Sequence, residues 1–115
     1  DGDGSFIMHL GSFSSINKKE HKNLKYILID NASHESIGGQ PVNLRHIDIK
    51  SLALSLNFKN FFSTNKKVSL PKIFENFLKS DGPSFFHIKI KRGTLVNLIR
   101  PKNLIGIKNN FINKN

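Results

Sequence analysis

The residues of this 115-residue chain whose types and spacing point to chemistry are Gly2, Asp3, Gly4 and Ser5, together with Asn31. Glycines on both sides of one carboxylate permit a tight turn and a close approach of backbone to a ligand. Backbone N–H groups that open a helix just after such a turn favour a phosphate. Asp3 can hold a divalent cation between protein and phosphate, because hard cations prefer oxygen ligands. Asn31 stands 28 positions after Asp3. If both lie at the ends of adjacent parallel strands, a carboxylate and an amide oxygen meet at one point. That pair suits Mg²⁺, which takes few protein oxygens and completes its shell with phosphate and water. Each cluster also has a plainer reading. Gly-Asp-Gly is a common turn, and Asn at a strand end is a common cap.

Elements to position these residues are legible. Ile7, Leu10, Phe13 and Ile16 recur every three residues, which predicts a helix over 6–22 with Lys18, Lys19 and Lys22 near its end. The apolar run 24–29 predicts a strand buried on both faces. Residues 31–46, with Gly38, Gly39 and Pro41, predict a long loop, and loops of that length in a compact domain are usually functional. Asp48 caps a predicted helix to about Asn57, and a short strand follows at 58–63. Ser69 with Pro71 opens a third helix whose apolar face is Ile73, Phe74, Phe77 and Leu78. Asp81, Gly82 and Pro83 stop it, and 84–91 predicts a third strand. The Asn- and Lys-rich tail 93–115 is expected to wrap the surface, with a weak helix near 104–112. Helices alternating with strands predict an α/β class: a parallel sheet covered by helices, in one domain spanning 1–115.

Composition narrows the rest. Hydrophobic residues at 37% and ten Phe are enough for a core. Without cysteine there is no disulfide framework, no Cys-ligated zinc and no Cys nucleophile. No apolar run approaches the roughly 20 residues of a membrane span, so a cytoplasmic setting is expected. The net charge of +10 raises the alternative of a basic binding protein. Its 15 Lys are dispersed among 14 Asn and 14 Ile, which looks like the drift of an AT-rich coding sequence. No specific nucleic-acid partner is expected. The chain opens on Asp1 in a turn-like cluster, as a fragment of a longer chain would.

Gly2-Asp3-Gly4, then 26 residues, then Asn31 resembles the diphosphate-binding motif of the thiamine diphosphate-dependent enzymes. Residues 8–12, 23–24 and 30–41, with Gly82-Pro83, 87–90 and Arg100-Pro101, are similar to the phosphonopyruvate decarboxylase branch, with the sulfopyruvate decarboxylases as its relatives. The resemblance implies a C-terminal part of a thiamine diphosphate-binding domain, incomplete at its N-terminus. It implies Mg²⁺ ligated by Asp3, Asn31 and the Ser33 carbonyl, with Gly2, Gly4 and Ser5 around the cofactor's diphosphate. It implies decarboxylation of a small 2-oxo acid, with phosphonopyruvate first and sulfopyruvate as the alternative. A pyrimidine-binding domain or subunit, in a homo- or hetero-oligomer, would supply the activating glutamate.

The chain departs from the pattern in places. Asp30 stands where the motif often has a first Asn, Ala32 where Gly is usual, and Glu35 where Asp is usual. The loop 33–40 is expected to face the substrate. His34 is the candidate to donate to a phosphonate or move a proton, or else a loop histidine satisfied by backbone. Gly38-Gly39 and Gln40 are candidate substrate contacts, or else a simple turn and a pin for the loop. His9 borders the expected site. His21 and His46 are expected in solvent, and His87 as a satisfied core histidine.

Overall fold

Three parallel strands form the frame. In the computed structural model, which describes residues 1–44, 46–93 and 102–113, β1 (Lys25–Asp30), β4 (Asn60–Thr64) and β5 (Ser84–Lys89) lie in the order β1-β5-β4. Tyr26 and Phe61 both stand opposite Phe85, and Leu28 and Ser63 both stand opposite His87. Gly2 bridges to Ile29 in the parallel sense. Asp1 holds that position, its carbonyl accepting from Ile29 N–H at 2.8 Å. The Asp3 turn and the end of β1 are therefore neighbours on one sheet edge, as the spacing predicts.

Both faces of the sheet are covered. On one face Phe6, Phe13, Phe58 and Phe85 are buried with Leu28, Val42, Ile49 and Ala53. Against Leu28 and Phe85 of the strands, α1 (Asp3–Met8) supplies Phe6, the 3₁₀ segment Leu10–Ser15 supplies Phe13, and α2 (Ile49–Ser55) supplies Ile49 and Ala53. On the other face α3 (Leu70–Lys79) buries Phe77 against Phe86 and Phe62, with ring centroids 5.3 and 5.9 Å apart. β5 is buried along its first four residues. β1 is not: Ile29 is 36% exposed. The double burial expected of 24–29 belongs to the central strand β5, because β1 has only the short Asp1–Gly2 segment on its outer side.

The single helix expected over 6–22 is replaced by α1 and the 3₁₀ segment. A strict three-residue spacing is the 3₁₀ period, and a helix of 3.6 residues per turn would drift from it. Gly11 lowers helix propensity, and Ser12 and Ser15 hydroxyls bond back to the carbonyls of His9 and Ser12. The expected long loop carries β2 (Ser33–His34), a 3₁₀ turn at Glu35–Ile37, and β3 (Gln40–Pro41), paired as a small antiparallel hairpin.

Asp48 caps α2, its carboxylate accepting from Lys50 and Ser51 N–H. Ser69 precedes α3 without a capping bond, because its hydroxyl engages Thr64 and the Lys66 carbonyl instead. Of the apolar face expected on α3, Leu78 is 54% exposed. Gly82 lets backbone approach backbone: a Cβ there would meet the Lys22 and Leu24 carbonyl oxygens at 2.7 and 2.6 Å. The tail contributes α4 (Leu104–Ile112), with Asn103 Oδ1 accepting from Gly106 N–H at 2.8 Å and no buried residue. The Arg100-Pro101 pair lies outside the described residues.

Candidate functional site

At the carboxyl edge of β1, Gly2, Asp3, Gly4, Ser5, Asn31, Ser33 and His34 line one cleft of about 440 Å³. Met8, Ile29 and Ile37 add apolar walls. Asp3 is 3% exposed. One of its oxygens accepts from Gly4 N–H at 3.0 Å, whereas Oδ2 is buried with no partner among the described residues. A buried carboxylate oxygen left unmet is costly, so such an atom marks a place where another group belongs. Burial raises the Asp3 pKa above the ordinary carboxylate value, and the neighbouring Asp30 charge adds to the rise.

The turn after β1 is built from side-chain caps. Asp30 Oδ1 accepts from Ala32 N–H and Asn31 Oδ1 from Ser33 N–H, each at 3.0 Å. Ala32 has φ +54°, a left-handed conformation that costs a non-glycine residue about 1–2 kcal/mol. Its carbonyl accepts from Arg92 Nη2 at 2.6 Å and from Val42 N–H at 3.3 Å. The usual glycine is thus absent, and its backbone geometry is kept.

Most of the expected site residues converge. The His34 ring packs directly on Gly4, where a Cβ would clash with its Cε1 and Nδ1. Gly39 and Gln40 do not line the cleft: Gly39 N–H donates to the His34 carbonyl at 2.9 Å, and Gln40 pairs with His34 across the hairpin. They shape the loop that carries His34. His9 is exposed, ends α1 with Nδ1 3.0 Å from the Ser5 carbonyl, and is not part of the cleft wall. His21 accepts from Asn17 N–H at 2.9 Å, so it closes a turn and does not stand free in solvent. His46 is exposed.

The fit to a diphosphate-held cation rests on Asp3. Its unmet buried oxygen and the Asn31 amide oxygen, which also accepts from Ser33 N–H, are oxygen donors of the kind Mg²⁺ prefers. Among the described residues no three His, Asp or Glu side chains gather at a metal position. A cation here would therefore complete its shell with ligand phosphates and water.

Residues 1–88 match the family described as thiamine pyrophosphate enzyme, C-terminal TPP binding domain. The chain belongs to that family. Among curated proteins it is 32% identical over 102 residues to phosphonopyruvate decarboxylase of Streptomyces viridochromogenes, covering 89% of this chain and 26% of that protein. It is 34% identical over 94 residues to sulfopyruvate decarboxylase of Methanosarcina acetivorans, covering 81% of this chain and 24% of that protein. It is 33% identical over 93 residues to sulfopyruvate decarboxylase subunit beta of Methanothermobacter thermautotrophicus, covering 81% and 48%. The chain thus spans about a quarter of the first two relatives and about half of the third. The candidate cleft of this thiamine diphosphate-binding domain lies where open parallel sheets bind ligands, beyond the carboxyl ends of the strands. Among the described residues no helix is long and apolar enough to cross a membrane.

One pair was only half visible in the sequence. His87 is buried, as expected, with Nε2 2.9 Å from Asp30 Oδ2. The signal was parity: His87 stands opposite Leu28, and Asp30 follows Leu28 by two, on the same face.

Proposed function

We propose that the protein carrying this chain is a thiamine diphosphate- and Mg²⁺-dependent decarboxylase of a small 2-oxo acid, acting in the cytoplasm. Phosphonopyruvate, going to phosphonoacetaldehyde and carbon dioxide, is the first substrate. The observation that carries this reading is the unmet, buried Asp3 oxygen in a cleft shared with Asn31, Ser33 and His34.

Asp3, the Asn31 amide oxygen and the Ser33 carbonyl would hold the cation. In the first turn of a helix the N–H groups lack intrahelical partners, and Ser5 brings one to the cleft wall for a diphosphate. Gly4 N–H is already taken by Asp3, so Gly4 serves by giving room to His34. Bound there, thiamine diphosphate supplies the electron sink that decarboxylation of a 2-oxo acid requires. His34, half-buried on the cleft wall, would donate a hydrogen bond to the substrate's remote anion or move a proton. Gly39 and Gln40 would act on the substrate only through the loop they brace. A pyrimidine-binding domain or subunit would close the cleft and supply the activating glutamate, in a homo- or hetero-oligomer.

Sulfopyruvate is the second reading, supported by relatives of about equal identity that carry that name. The full-length protein, given thiamine diphosphate and Mg²⁺, should release carbon dioxide from phosphonopyruvate with a higher kcat/KM than from sulfopyruvate. The reverse order would move the assignment to the sulfonate. Turnover of neither, with cofactor bound, would defeat both.

A further inference from the structure

The turn that presents Asn31 and Ser33 lies between two spaces. In front is the cofactor cleft. Behind it is a smaller cavity of about 230 Å³, bordered by Asp30, Asn31, Ala32 and His87. A turn with open space behind it and a left-handed alanine at its centre can relax backwards, and relaxation would withdraw Asn31 and Ser33 from the cleft wall.

Asp30 opposes that movement from three atoms. Its Oδ1 accepts from Ala32 N–H at 3.0 Å, its Oδ2 meets His87 Nε2 at 2.9 Å, and its carbonyl accepts from Ile90 N–H at 2.8 Å. His87 sits on the central strand, opposite Leu28 on one side and Ser63 on the other. It is therefore the rigid end of the contact. A carboxylate oxygen accepts, so in this contact Nε2–H is the donor. Asp30 is thus not a substitute metal ligand at the place where the family often has asparagine.

We propose that His87 and Asp30 are a positioning pair: His87 anchors the Asp30 carboxylate to the central strand, and Asp30 in turn locks Ala32 so that Asn31 and Ser33 face the cation. This rests on the cofactor reading of the cleft. Partners that orient metal ligands from behind typically change metal affinity by about 10–100-fold when removed.

The test measures binding rather than turnover. Mg²⁺ is titrated by calorimetry into the full-length protein with saturating thiamine diphosphate and no substrate. His87→Leu should weaken Mg²⁺ by about 10–100-fold. His87→Gln, which keeps an N–H donor near the Nε2 position, should bind within about threefold of wild type, a rescue that simple core filling would not produce. Asp30→Ala should match His87→Leu, and the double variant should lose no more than either, because the two act as one unit. If His87→Leu does not fold, Asp30→Ala against Asp30→Asn, which retains an acceptor for Ala32 N–H, decides the same question: loss in the first and retention in the second support the pair. Wild-type affinity in His87→Leu, or failure of His87→Gln to restore it, overturns the pair. Asp3→Ala is run alongside. If it loses Mg²⁺ while His87→Leu does not, the positioning pair fails and the cofactor site stands. If neither loses Mg²⁺, both fail.

Discussion

The two ends of the sheet's carboxyl edge carry clefts of similar size and opposite character. At the β4 end a cleft of about 560 Å³ is lined by Lys50, Lys66 and Lys89 with Ser63, Thr64 and Ser69. Two of its hydroxyls and its carboxylate are already engaged: the Thr64 and Ser69 hydroxyls are 2.8 Å apart, and Asp48 is spent on capping α2. At the β1 end the cleft is smaller, yet there Asp3 is buried with an unmet oxygen, Asp30 stands beside it, and Ala32 is left-handed. Buried unmet charge and backbone strain both lower stability. They are concentrated where the fold can recover that cost by binding another molecule. Cleft volume alone points to the other end.

The sharpest way to break this contrast is to delete one charged side chain at each end. Asp3→Ala in the full-length protein should weaken Mg²⁺-dependent thiamine diphosphate binding by more than about 100-fold, since on the proposed reading it removes a direct ligand. Lys66→Ala, at the other end, should leave the same dissociation constant within about twofold, as expected of a solvated surface charge. Calorimetry measures both. Equal losses would mean that the cofactor spans the whole edge. Next in size is His34→Ala. It should lower kcat by roughly a hundredfold, the lower range for a lost proton donor, while the cofactor dissociation constant changes little. Unchanged kcat would return His34 to a loop role.

How far the sequence revealed this contrast depends on the type of signal. The Asp3–Asn31 spacing, the alternation of elements and the Asp48 cap were legible because each is a local pattern with a local cause. The 3₁₀ segment was misjudged because a three-residue period resembles a helical stripe until Gly11 and the serines are weighed. The hairpin at 33–41 was hidden, since two-residue strands carry no periodicity. Gly39 and Gln40 could not be separated from His34 as site residues, because only the hairpin pairing turns their side of the loop away from the cleft wall. The Asp30–His87 contact joins residues 57 positions apart and required the strand register.

Ala32→Gly sharpens the contrast through backbone. Glycine adopts φ +54° without the steric penalty, so the variant should be more stable by up to about 1 kcal/mol despite the greater freedom of its unfolded chain. Urea unfolding of the cofactor-free protein measures it. A loss instead would mean that the Ala32 methyl packs usefully against its neighbours.

The Asp3 carboxylate predicts a pH dependence with a definite sign. Its pKa is raised in the folded protein, so the folded state binds that proton more tightly than the unfolded state. The penalty is present in full above the raised value and is relieved as pH falls through it toward the ordinary carboxylate range. Asp3→Asn removes the charge while keeping an acceptor for Gly4 N–H. The cofactor-free variant should therefore unfold at higher urea than wild type at pH 7, with the gap closing as the solution is acidified, although it no longer binds Mg²⁺. A gap independent of pH would show that Asp3 ionisation is not its cause.

The smallest effect belongs to the satisfied end. Ser69 occupies the N-cap position of α3, where replacing a serine that caps costs typically about 1 kcal/mol. Here its hydroxyl bonds Thr64 and the Lys66 carbonyl and none of the helix N–H groups. Thr64 Oγ1 keeps a second partner, accepting from Lys66 N–H at 3.1 Å. Ser69→Ala should therefore cost only about 0.5 kcal/mol, the low end for a single half-buried hydrogen bond, and should leave Mg²⁺ and thiamine diphosphate binding unchanged. A cost above about 1 kcal/mol would mean that the hydroxyl network, not the apolar contacts of Phe77, fixes α3 on the sheet. The two ends of the edge would then differ less in kind than in which groups remain unmet.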